Sequence, residues 1–81
     1  MSGEEAGGER SYLRLVSRRV RSQRVLAGIT QDELAERAGM SRVTLGSIER
    51  GDHGASVLTY LKVARALGVP MGTLLDEENR R

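Results

Sequence analysis

The 81-residue chain contains no cysteine, so neither a disulfide nor a thiolate metal site can stabilise it. Its length allows one small domain, and aliphatic side chains must form the core because two tyrosines are the only aromatic residues. The net charge is +2, no apolar run approaches the roughly 20 residues that span a bilayer, and MSGEEAGGER contains no signal-peptide segment, so a cytoplasmic protein without a membrane partner is expected.

The N-terminal part of the chain divides into a tail and a first helix. Residues 1–10 are rich in glycine and glutamate without apolar periodicity, which predicts a disordered tail. Ser11 is the predicted N-cap of a helix that runs to about Ala27 and is followed by Gly28. Its predicted apolar face consists of Leu13, Val16, Val20 and Ala27. A separate basic row consists of Arg10, Arg14, Arg18 and Arg21. Such a row is more often solvated than bound to phosphate.

The second helix has clear start and stop signals. Thr30 and Glu33 have the spacing of a capping box, and Ile29 and Leu34 have the spacing of the hydrophobic staple that accompanies it. Gly39 is the predicted end of this helix, because glycine adopts positive φ without steric cost.

The third helix follows the second almost without a loop. Ser41 is its predicted N-cap, and the helix is expected to end near Arg50. The small side chain of Ala35 and the turn at Gly39 allow the two helices to cross closely, at about 90–120°. The outer face of the third helix then carries small side chains, which leave it narrow enough to enter a major groove.

Two more helices are predicted after the loop GDHGAS. Ser56 caps a fourth helix that runs to Leu67, and Pro70 is the predicted first residue of a short fifth helix reaching about Leu75. The predicted core residues of the fourth helix are Leu58, Leu61, Val63, Ala64 and Leu67. Because no stretch alternates with a period of two, an all-α fold of five short helices is expected.

The sequence resembles the Xre/Cro-type helix-turn-helix family, which includes the lambdoid phage repressors. The residues that carry the resemblance are Gln31, Leu34, Ala35, Gly39, Met40, Ser41, Leu45, Ile48, Glu49, Arg50 and Gly51. It covers about residues 12–75 and implies a compact five-helix bundle, lambda repressor-like, with a central helix-turn-helix. The expected domain is therefore residues 11–75, preceded by the tail 1–10 and followed by a short tail, 76–81.

The resemblance also implies the roles of individual residues. The resemblance implies DNA contacts by Gln31, Arg42, Val43 and Ser47. Ser41, Thr44 and Arg50 are added to the predicted DNA-binding residues because of their positions in or next to the third helix. Of these, Arg42 is the candidate for a two-point contact to guanine, and Gln31 is the candidate for a phosphate contact. Arg24 and Glu49 are implied to form a structural salt bridge between the first and third helices. The loop departs from the family because Asp52 stands where basic residues that contact phosphate are common, so Arg50 and backbone N–H groups would have to supply those phosphate contacts. His53 is expected to be an ordinary loop residue.

The leading hypothesis is a sequence-specific transcriptional regulator that binds double-stranded DNA as a homodimer on a two-fold symmetric operator. Helix 3, about residues 41–50, would lie in the major groove, and the protein would be nucleoid-associated when bound. The predicted dimer interface consists of Met71, Leu74 and Leu75, because the fifth helix is too short to bury all three against its own domain. The alternative is that Leu74 and Leu75 cap the monomer core and only Met71 is exposed. One alternative is a module or antitoxin that binds a protein partner, and another is the detached N-terminal domain of a larger regulator.

No nucleophile–base pair or nucleotide fingerprint is present, so neither enzymatic activity nor a cofactor or metal is expected.

Overall fold

The computed structural model describes the backbone of residues 3–52 and 54–77, with side chains from residue 8 onward. Residues 1–2 and 78–81 of the two predicted tails, and His53, lie outside this part. The helices are α1 (Gly3–Leu26), α2 (Gln31–Ala38), α3 (Arg42–Arg50), α4 (Val57–Leu67) and α5 (Met71–Leu75). All regular secondary structure in the described ranges is helical, which confirms the predicted all-α class. None of these helices is long and apolar enough to cross a membrane.

The first helix begins earlier than predicted. It starts at Gly3, so residues 3–10 belong to α1 rather than to a tail, and Ser11 lies inside the helix instead of capping it. Each residue added to a formed helix contributes one backbone hydrogen bond, and an interior serine costs only a few tenths of a kcal/mol. Ala27, predicted to be on the core face, lies past the helix end and is exposed.

The helix boundaries in the centre of the chain follow local hydrogen bonds. Thr30 Oγ1 accepts from the Glu33 N–H at 3.1 Å, and the Thr30 N–H donates to Glu33 Oε1 at 2.7 Å, which completes the predicted capping box. The bond from the Thr30 backbone lowers the pKa of the Glu33 carboxyl below its ordinary value of 4.5. Ser41 and Ser56 cap α3 and α4 as predicted. Pro70 occupies the N-cap of α5 rather than its first helical position.

The core lies between the helices: α3 packs on α1 and α2, α4 packs on α2, and α5 packs on α4 and α1. Its buried residues are Val16, Val20, Leu34, Ala35, Leu45, Ile48, Tyr60, Val63, Ala64 and Leu74. The prediction for Leu58 is wrong, since this side chain is 61% exposed. It lies two residues before Tyr60, roughly 200° away around the helix, so packing of the Tyr60 face turns Leu58 toward solvent.

The last helix is docked on α1, which corrects one predicted interface residue. Leu74 is completely buried in the core of its own domain and cannot contact a second subunit there. The final carbonyls of a helix lack intrahelical partners, and α1 supplies them. Arg19 Nη1 donates to the Leu74 carbonyl at 3.1 Å, and the Tyr12 hydroxyl donates to the Leu75 carbonyl.

Candidate nucleic-acid interface

The turn between α2 and α3 is short and hydrogen-bonded. Gly39 has φ of 72°, and its N–H donates to the Glu36 carbonyl, while the Met40 N–H donates to the Ala35 carbonyl at 3.0 Å. Ala35 is buried where α2 meets α3, and Leu45 is completely buried on the inner side of α3. The two helices are therefore held as one unit, with the opposite side of α3 facing solvent.

The solvent-facing side of α3 carries most of the predicted DNA-binding residues. Arg42, Thr44 and Arg50 are exposed, Ser47 is half-buried, and Val43 is 78% exposed although it is apolar. An apolar side chain left this exposed on a rigid helix is suited to contact with a partner surface, such as a thymine methyl group.

Two predicted contact residues are engaged within the protein. Ser41 Oγ accepts from the Thr44 N–H at 3.0 Å and lies 2.9 Å from Thr44 Oγ1, so its role in the structure is to cap α3. Gln31 Nε2 donates to Glu49 Oε1 at 3.0 Å. An amide NH₂ group has two donors, so the second N–H of Gln31 remains for a ligand.

A shallow groove connects the start of α2 with the outer side of α3. Its lining residues are Gln31, Arg42, Val43, Gly46 and Arg50, and its volume is about 220 Å³. The structure thus brings four of the seven predicted DNA-binding residues, two of them arginines, from two helices to one concave surface. This arrangement suits an anionic or hydrogen-bond-accepting ligand.

Arg24 and Glu49 form the ion pair that the family resemblance implies. Arg24 Nε lies 2.7 Å from Glu49 Oε2, and Nη2 donates to Oε1 at 3.1 Å. The remaining Nη1 donates to the Ile29 carbonyl at 3.0 Å. The Glu49 side chain is only 3% exposed and that of Arg24 is 14% exposed, so this pair links α1 to α3 inside the protein.

Each arginine of the groove is paired with an aspartate that sequence reasoning did not assign to the site. Arg42 Nε lies 3.4 Å from Asp32 Oδ1, and Arg50 Nη2 lies 2.9 Å from Asp52 Oδ2. One sequence feature could have assigned Asp52 to the site: it is an acidic residue in a loop where basic residues are common. The signal for Asp32 was weaker, because an acidic residue in the first turn of a helix is already explained by the helix dipole.

Two short helices joined by a tight turn, with a narrow and exposed second helix, define a helix-turn-helix protein. The sequence model described as helix-turn-helix matches residues 20–74, more than half of the chain. The chain therefore belongs to the Xre, or lambda repressor-like, helix-turn-helix family of transcriptional regulators, which is not a family of enzymes.

The chain is also similar to several proteins over most of their length. The chain is 36% identical over 63 residues to the uncharacterized HTH-type transcriptional regulator YgzD of Bacillus subtilis, covering 75% of this chain and 96% of the relative. It is 31% identical to the control protein C.SmaI of Serratia marcescens, covering 79% and 76% of the two chains. The crystal structure of the restriction-modification controller protein C.AhdI from Aeromonas hydrophila superposes with a TM-score of 0.74 at 34% identity, covering 76% and 94%.

Proposed function

We propose that this protein is a sequence-specific DNA-binding regulator that places α3 in the major groove of a two-fold symmetric operator. The observation that carries this proposal is the groove between α2 and α3, where Gln31, Arg42 and Arg50 surround the exposed Val43. A major groove about 12 Å wide admits one α-helix, and α3 has small residues where it must fit most closely. Similarity to C.SmaI and C.AhdI supports a regulator of the controller type, acting in the cytoplasm.

The proposed contacts divide into two kinds. Arg42, Val43, Thr44 and Ser47 are proposed to face base edges, because they lie on the outer side of α3 and its first turn. Gln31 is proposed to contact a phosphate from the start of α2, where the free backbone N–H groups and the helix dipole also favour an anion. Phosphate contacts position the protein on the duplex, and base contacts determine the preferred sequence.

The proposed dimer interface on α5 is smaller than the one predicted from the sequence, because it lacks Leu74 and consists of Met71 and Leu75. Met71 and Leu75 are four residues apart, so they lie on the same side of the helix, and both are only half-buried. Two such surfaces can pair around a two-fold axis and bring two recognition helices to half-sites about 34–36 Å apart. Because Leu74 already packs in the core, it would support this interface from beneath.

Selection of bound sequences from a random DNA pool tests the proposal. We expect a motif with two-fold symmetry and two half-sites one helical turn apart. Affinity for the selected DNA should fall steeply with salt concentration, because each neutralised phosphate releases counterions. A module that binds only proteins would enrich no DNA sequence, even at low salt.

The oligomeric state on the selected operator is measured by sedimentation. Wild type should bind as two copies, and Met71→Asp should weaken the second binding event, because a charge would be buried in the interface. Val25→Asp is the matched control, since this side chain is 59% exposed at the far end of α1. One protein copy per operator at saturation would contradict the homodimer.

A further inference from the structure

Arg50 is held in a defined orientation at the C-terminal end of α3. Its Nε donates to Asp52 Oδ2 at 3.0 Å, and its Nη2 lies 2.9 Å from the same oxygen. The guanidinium also lies over Gly46: a Cβ added to that glycine would be 3.2 Å from Arg50 Nη1, which is closer than ordinary van der Waals contact. The absence of a side chain at Gly46 therefore lets the guanidinium lie close to the helix surface.

This geometry leaves one side of the guanidinium unused. Arginine has five N–H donors in a planar fork. Asp52 occupies the side formed by Nε and Nη2, so the Nη1 N–H groups and the second N–H of Nη2 remain. These two nitrogens form the edge that can donate two parallel hydrogen bonds to O6 and N7 of guanine.

The pair contributes little to folding. Side chains of Arg50 and Asp52 are 63% and 49% exposed, and exposed ion pairs are nearly neutral for stability because water screens them. Next to DNA, a carboxylate also opposes binding, because it repels phosphates and makes the net charge of the Arg50–Asp52 pair zero. Asp52 therefore adds neither folding stability nor general affinity for DNA, and its role at the interface must be a different one.

We infer that Asp52 is a positioning residue, which directs the free edge of Arg50 toward a guanine in the major groove rather than toward a phosphate. This inference rests on the proposed function, since it requires α3 to lie in the groove. An arginine tethered on one side loses less conformational freedom when it binds a base. Ordering a long side chain at an interface is otherwise costly, by an amount equivalent to about a 2- to 10-fold change in affinity.

The neutral charge of the pair also separates base contact from phosphate contact. An arginine paired with a carboxylate is a weaker attractor for phosphate, which is recognised mainly by charge, than a free arginine is. Its hydrogen-bonding edge is unchanged, so its contact to guanine is retained. Asp52 therefore lowers affinity for DNA of any sequence while preserving preference at one base pair of each half-site.

The experiment uses the operator selected by the wild-type protein, with every base pair varied in turn. Arg50→Ala first identifies the base pair that Arg50 reads, which should be a G·C pair whose preference is lost. Asp52→Ala should reduce preference at that same pair by about 2- to 10-fold. It should also raise affinity for random DNA and steepen the log–log salt slope by up to about 0.9, because one more phosphate contact becomes available.

Asp52→Asn separates orientation from charge. The amide oxygen still accepts from Arg50, so preference at the G·C pair should return toward the wild-type value, while affinity for random DNA stays raised. Glu36→Gln is the control for the loss of one negative charge, since Glu36 is exposed and forms no ion pair among the described side chains. It should leave the preference at that pair unchanged. All variants should unfold at nearly the wild-type temperature.

Three results would overturn the inference. The first is that Arg50→Ala lowers affinity equally for all sequences, which makes Arg50 a phosphate contact. The second is that Asp52→Ala retains the full preference at every position. The third is that Asp52→Asn loses as much preference as Asp52→Ala. A wild-type protein that selects no sequence would instead contradict the proposed function, so the two failures are distinguishable.

Discussion

Removing Arg24 should destabilise the protein strongly without acting on DNA binding directly. The Glu49 carboxylate accepts three hydrogen bonds, two from Arg24 and one from Gln31, and its side chain is only 3% exposed. In Arg24→Ala the carboxylate keeps only the Gln31 bond in a site that water hardly reaches. Leaving one charge of a buried pair without its partner costs about 3–5 kcal/mol.

Removing Glu49, the other member of the pair, should lower the free energy of unfolding by less. In Glu49→Ala the remaining guanidinium keeps its bond to the Ile29 carbonyl, and its side chain is 14% exposed, so water can solvate part of it. We expect a loss of about 2–3 kcal/mol, the upper range for a charged hydrogen bond. At about 0.05–0.15 kcal/mol per residue, a chain of 81 residues has roughly 4–12 kcal/mol of stability, so either loss is large.

Urea and thermal unfolding followed by circular dichroism measure these losses. Each kcal/mol should lower the Tm by roughly 4–8 °C in a domain of this size. The double variant Arg24→Ala with Glu49→Ala gives the coupling free energy between the two side chains. A second double variant, Arg24→Met with Glu49→Leu, replaces both charges by apolar groups and should recover most of the stability. DNA binding is measured well below the Tm of every variant.

One result would refute the structural role of the pair. If Arg24→Ala unfolds at the wild-type temperature and yet fails to bind DNA, then Arg24 is a DNA contact. A coupling free energy near zero would likewise show that the two charges act independently, contrary to the short distances between them.

Three further predictions concern a glycine, a cap and a base contact. Gly51→Ala should lower the free energy of unfolding more than Gly39→Ala does. Both glycines have positive φ, where a side chain is strained by about 1–2 kcal/mol, but only at Gly51 would the added Cβ also lie 2.8 Å from Ser17 Oγ. Adding Ser17→Ala should recover the difference, measured by urea unfolding. The destabilisation caused by Glu33→Gln should be fully present above pH 4.5 and disappear as pH falls through the lowered pKa of Glu33, as followed by thermal unfolding between pH 7 and 3. Arg42→Ala should lose about 1–3 kcal/mol on the operator with relaxed preference at one base pair, and retention of every preference would exclude Arg42 as a reader.

The site was partly predictable because several of its residues belong to local patterns. Arg42, Val43 and Ser47 follow from their positions after the cap at Ser41 and the turn at Gly39. The pairing of Arg50 with Asp52 was not predictable from spacing alone. It depends on positive φ at the intervening Gly51, and on the missing side chain at Gly46, which together let the two charged groups meet.

The burial of Tyr60 in α4 and of Leu74 in α5 also escaped sequence reasoning. The apolar pattern of α4 allowed Leu58 or Tyr60 on the core face, and packing against α2 and α1 selected Tyr60. Leu74 was predicted at a dimer interface because the fifth helix is too short to bury Met71, Leu74 and Leu75 together. Hydrogen bonds from α1 to the last carbonyls of α5 hold it in the core instead.

The sequence by itself determined where α2, α3 and α4 begin and end, because caps and C-terminal glycines act through hydrogen bonds between residues at most five positions apart. Thr30, Ser41 and Gly39 are the main examples. Only the tertiary structure decided that Tyr60 rather than Leu58 is buried in α4, and that Leu74 of α5 lies in the core. Burial depends on partners far along the chain, such as Arg19 for Leu74, and their arrangement follows from the packing of the whole domain rather than from any short segment.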